Sequence, residues 1–133
     1  MASLNHIRMT AQRVDSNPNM VDGGDMDHWK CVLTRRDPGE AARRMTVYFS
    51  QGYGHHGKEP KLAAVLECLA MDARGVEDAS SFEDWASEYG YDADSRKAER
   101  IWRVCGKQAI RLKSFLGAAQ FTELLHAEEA LNG

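Results

Sequence analysis

A chain of 133 residues with 43% hydrophobic and 28% charged residues can bury one core and is too apolar for an intrinsically disordered segment. Its net charge of −3, from 17 Lys and Arg against 20 Asp and Glu, excludes a globally basic nucleic-acid binder. The longest apolar run, Leu62 to Leu66, falls far short of the ~20 residues of a membrane helix, and the N-terminal MASLNHIRMT lacks the apolar core of a signal peptide, so a soluble cytosolic protein is expected.

Ile7, Met9 and Ala11 alternate with Arg8, Thr10 and Gln12, which predicts a strand over 5–14. The polar stretch DSNPNMVDGGDMD follows and reads as a mobile connection. Trp29, Cys31 and Leu33 alternate with Lys30, Val32 and Thr34 in a second strand over 28–36. After the turn RDPGEAARR, Met45, Val47 and Phe49 alternate with Thr46, Tyr48 and Ser50 in a third, over 43–50. The last two make a hairpin, and all three an antiparallel meander. One face would be apolar. The other would show Arg8, Gln12, Lys30, Thr34, Arg44, Thr46 and Tyr48, a cationic surface with one aromatic.

Four helices are expected next. Pro60 suits the first turn of a helix over 60–73, with Leu62, Val65, Leu66 and Leu69 in one stripe and an end near Gly75. Ser81 and Asp84 resemble a capping box, with Ser80 and Glu83 as the alternative register. The helix over 81–89 would bury Phe82, Trp85 and Tyr89 and stop at Gly90. Asp92 or Asp94 can cap a long helix over 94–116. Its Ala98, Ile101, Trp102, Cys105, Ala109, Leu112 and Leu116 share an arc of about 100°. Gly117 ends it, and Phe121, Leu124, Leu125 and Leu131 mark a last helix over 119–131. Strands followed by helices give an α+β class: a single domain, 1–133, with the helices packed on one face of the sheet.

Little in the chain suggests catalysis. Cys31, Cys68 and Cys105 are isolated, odd in number and match no zinc spacing, so buried reduced thiols are expected. The loop SQGYGHHGKEP sits between strand and helix, where glycines can cradle phosphate. Glu59 stands where a phosphate-binding loop needs Ser or Thr, so a flexible connection is expected. Tyr53, His55, His56 and Lys58 then remain as partner-binding candidates. Asp25, Asp27 and His28 cluster near a strand start, but weakly for a metal. No serine has a nucleophile-elbow context. The expectation is a non-enzyme without metal or cofactor.

Charge is distributed in blocks. From Asp72 to Asp94 eight acids accompany one base, and from Arg96 to Lys113 seven bases accompany one acid. Arg96, Arg100, Arg103, Lys107 and Arg111 fall within a sector of roughly 80°, opposite the apolar arc. Such a ridge is a solvated face, a dock for an acidic protein or a grip on phosphates. The acidic Glu77, Asp78, Glu83, Asp84 and Glu88 would repel a duplex, which favours a protein partner over nucleic acid.

The stretches MDHWKCVL, MTVYFSQGYGHHGKEP and VLECLAMDARGVEDASSFEDWASEYGYDADSRKAER, with the long helix after them, resemble small proteins encoded by phages and prophages. The resemblance covers most of residues 5 to 116, is most distinctive over 82–100 and stops at Ala118. It carries over no catalytic residue. It implies a phage accessory protein of the host cytosol that binds and blocks a host protein or ribonucleoprotein complex, in the manner of an anti-CRISPR protein facing CRISPR–Cas. Steric occlusion and nucleic-acid mimicry are both compatible modes. The alternative is a small nucleic-acid-binding accessory protein using the ridge or the sheet face around Tyr48. The final helix leaves monomer and homodimer both open.

Overall fold

Side chains of period two build the first half of the chain. The computed structural model describes residues 6–18, 26–52 and 54–132, with 128–132 in backbone only. Strands β1 (Ile7–Val14), β2 (Asp27–Arg35) and β3 (Arg43–Gln51) form one antiparallel sheet in the order β1-β2-β3. Helices α1 (Leu62–Asp78), α2 (Phe82–Glu88), α3 (Arg96–Leu116) and α4 (Ala118–Asn132) follow. The fold is therefore the expected α+β meander with four helices. The chain divides into two compact units, residues 3–66 and 67–133, with the boundary inside α1. No described helix is long and apolar enough to cross a membrane.

In the sheet unit the register places Cys31 opposite Val47 and Leu33 opposite Met45. These four, with Ile7 and Trp29, are buried. Phe49, expected among them, is only half-buried. The opposite face runs in rows, Gln12–Lys30–Tyr48 and Arg8–Thr34–Arg44. The β2–β3 turn is held by Asp37, which accepts from Arg35 Nε at 2.9 Å and from Arg43 Nη2 at 2.9 Å.

The helix boundaries correct several expectations. Pro60 lies ahead of α1 rather than in its first turn, since the Lys61 carbonyl takes the Val65 N–H. Nor does α1 stop at Gly75. It continues to Asp78 because Gly75 is helical and buried, under the Tyr89 ring. Ser81 caps α2, accepting the Asp84 N–H at 3.1 Å, so the Ser80 register is not used. Ser95 caps α3, accepting from Lys97 and Ala98, and neither Asp92 nor Asp94 does so. Asp92 instead closes a local turn onto the Asp94 N–H at 3.0 Å.

Along α3, Ala98, Ala109, Leu112 and Leu116 are buried as the stripe requires, and Phe115 extends it. Gly106 interrupts this helix with nothing within 4 Å of the position a methyl would take. Gly106→Ala is therefore expected to stabilise the protein by about 1 kcal/mol through helix propensity. Denaturant unfolding followed by circular dichroism measures it.

Candidate functional site

Ser95 caps the start of α3, and helical spacing along it gathers the cationic ridge on one face. Arg96, Arg100, Arg103, Lys107 and Arg111 are all exposed. Arg103 donates to Glu99 Oε1 at 2.5 Å, one turn earlier, which locally offsets its charge. Ile110, unnoticed in the sequence pattern, is 72% exposed and flanked by Lys107 and Arg111. Its only sequence signal is a β-branched apolar residue standing outside the apolar arc. A solvent-facing isoleucine within a cationic face is a natural anchor for a protein contact.

The acidic candidates Glu77, Asp78, Glu83, Asp84 and Glu88 are likewise exposed. Glu83 and Asp84 lie in the first turn of α2, where the helix dipole favours negative charge. The Ser80 hydroxyl also bonds the Asp84 carboxylate. These two acids thus support their own helix.

The glycine-rich loop belongs to the sheet unit, and it is not the loose connection expected. Asp27, 7% exposed, accepts the Gly57 N–H and an Arg13 Nη2 hydrogen, each at 2.5 Å. His56 Nδ1 lies 3.8 Å from the same carboxylate. The Gly57 N–H first, then the charges of Arg13 and His56, hold the Asp27 carboxyl below its ordinary range despite the opposing effect of burial. Gln51 Nε2 donates to the Lys58 carbonyl and closes the loop. His55, His56 and Lys58 remain exposed on this tethered loop, and Tyr53 lies outside the described residues. Asp27, grouped in sequence with Asp25 and His28, is thus committed to the loop. His28 Nδ1 pairs with Ser50 Oγ at 2.7 Å, and Asp25 lies outside the described residues. Among the described residues no three His, Cys, Asp or Glu gather as metal ligands.

A further feature was not read from the sequence: an aromatic cavity in the helical unit. Helix α2 ends in a Schellman motif, with Gly90 at φ 76°. The Tyr91 N–H reaches the Ala86 carbonyl at 2.7 Å and the Gly90 N–H reaches Ser87. This geometry folds Tyr91 back onto Trp85, rings parallel within 10° and centroids 5.2 Å apart. Tyr89 tilts against Trp85 at 5.8 Å. Phe82 and Trp102 pack on it from other sides. A cavity of about 140 Å³ remains, lined by Met71, Asp72, Trp85, Tyr89, Tyr91, Ile101 and Cys105. Tyr89 was expected to be buried. It is 46% exposed because it forms the rim.

Burial pushes the Asp72 carboxyl up to about 6. Burial likewise raises the Cys68 and Cys105 thiols to about 12, with Asp72 adding to both, and Cys31 to about 11. All three are neutral thiols at physiological pH, poor nucleophiles and poor metal ligands. The chain matches no protein-family model, no curated protein and no solved structure.

Proposed function

We propose that this protein is a non-catalytic, phage-type inhibitor that docks on a host defence complex of the CRISPR–Cas kind and occludes it. The observation that carries the reading is the exposed face of α3, a ridge of five cations with the exposed Ile110 beside Lys107 and Arg111. The exposed acids of α1 and α2 in the same unit make the surface two-signed, which suits a protein or ribonucleoprotein partner better than a bare duplex. The resemblance to small phage and prophage proteins supports the defence context.

The test is affinity purification of the tagged chain from a host carrying the defence system, alongside a phage-restriction assay. A stoichiometric host complex and lost immunity are expected. Replacing Arg100 and Arg103 by Glu should weaken capture by roughly tenfold or more, with circular dichroism confirming that the helix persists. Recovery of no partner, with immunity intact, overturns the proposal.

A second reading, nucleic-acid binding, draws on the sheet face, where the register sets Lys30 beside Tyr48 and Arg8 in one row with Arg44. In that case mobility shifts would show a retarded complex that dissolves as salt rises.

A further inference from the structure

The aromatic cavity takes no part in the docking face proposed above, and its chemistry is specific. Among the described residues four large hydrophobic side chains are exposed, and three of them, Met71, Tyr89 and Tyr91, stand at this cavity. Its innermost aromatic, Trp85, is only 4% exposed. The opening is therefore apolar at the rim and aromatic at depth. Asp72 supplies the one carboxylate of the lining, and no cation among the described residues pairs with it.

These elements narrow the ligand. An anion would meet the Asp72 charge without a counter-ion. A neutral apolar molecule would leave that carboxylate desolvated and unpaired, which is costly. A hard metal ion would find a single oxygen ligand and neutral thiols. A cation with a soft, alkylated surface suits this lining: Asp72 and the aromatic side chains match its charge, and Met71 and Ile101 match its methyl groups. The cavity compares with the ~150 Å³ apolar cavity that holds one benzene, a size suited to a single alkylammonium head. We propose that this cavity binds an alkylated ammonium cation, with Trp85, Tyr89 and Tyr91 as its aromatic lining and Asp72 as the counter-charge.

Among the described residues, the titratable groups that act on Asp72 or share its cavity are the Cys68 thiol on its own helix, the Cys105 thiol on α3, and Tyr89 and Tyr91 in the turn after α2. With both thiols neutral, Asp72 is the group that titrates near pH 6 in the cavity. Cation binding therefore weakens as the solution is acidified through that range.

The experiment is calorimetric titration of the full chain with choline and with its neutral tert-butyl isostere. Choline should bind at least about tenfold more tightly, the size of a desolvated cation–π contact with its counter-ion. Asp72→Asn should abolish that preference, and Tyr91→Ala should weaken choline binding, with the fold of each checked by circular dichroism. Equal binding of choline and the isostere, or binding of neither, overturns the proposal. That comparison needs only the native protein, so a variant that misfolds does not blunt the test. A peptide bearing trimethyl-lysine forms the last arm. Tighter capture of the peptide than of choline assigns the cation to a protein side chain, and the reverse assigns it to a small metabolite. Because host-partner capture does not enter the titration, this test and that of the docking face fail independently.

Discussion

Trp85→Ala is expected to lower the stability of the helical unit by about 3–5 kcal/mol. Trp85 is the hub of that unit. It contacts Phe82, Tyr89, Tyr91 and Trp102 through ring centroids 5.2 to 6.2 Å away. It also forms the buried cluster with Ala86 and Ala98. Two alanines as neighbours matter for the magnitude. Small side chains cannot expand to fill the vacated volume, so a void persists and its lining loses dispersion contacts. Trp85→Phe keeps an aromatic in the same place and should cost less than half as much. Urea unfolding monitored by far-ultraviolet circular dichroism measures both, since the substitution removes a fluorophore. Equal, small losses for the two variants would show that the cluster is not a core.

The stability of the protein is expected to rise as pH falls from about 7 towards about 4.5, against the usual trend for a folded acidic protein. The cause is Asp72, whose carboxyl titrates near 6 when folded against an ordinary value of 3.8. Between those values the folded chain holds a proton that the unfolded chain has released. Its contribution is therefore complete below the unfolded value and is lost as pH rises through about 6. The full difference corresponds to roughly 3 kcal/mol, and solvent reaching a half-buried carboxylate reduces it to about 2. Asp27 and Asp37 act in the opposite sense, but both are held below the ordinary value. Their loss falls at lower pH, outside this window. Melting temperatures of the native chain and of Asp72→Asn across the window decide the matter. The native curve should climb on acidification and the variant's should be flatter. Parallel curves would mean that Asp72 is well solvated.

Strand order and register were legible because period-two alternation in Trp29–Thr34 and Met45–Ser50 admits one inward face. Ser81 was readable as a cap for the same kind of reason, a short polar side chain just before an apolar run. Ser95 was obscured by Asp92 and Asp94, equally good caps by composition, and only the backbone decides between them. Gly75 looked like a helix end because the reason for a glycine there, the ring of a residue fourteen positions later, is not local. The cationic face of α3 was legible from helical spacing, whereas the cavity was not. Met71, Asp72, Tyr89, Tyr91 and Cys105 come from two helices and the turn after α2, and no periodicity within one element relates them. What the sequence does hold is the Gly90–Tyr91 pair after Trp85, the signature of a helix end that turns an aromatic back upon its own helix.

Glycine at 75 looks costly when helix propensity alone is weighed. In the interior of a seventeen-residue helix it forgoes about 1 kcal/mol relative to alanine, and the substitution looks like an obvious improvement. Yet a methyl there would lie 2.5 Å from the Tyr89 hydroxyl oxygen and 3.0 Å from its ring carbon, driving the tyrosine off the helix. The gain in backbone rigidity would come with a displaced cavity wall. A redesign guided by helix propensity alone would thus move a wall of the recess, because position 75 couples the backbone of one helix to the aromatic turn that follows the next.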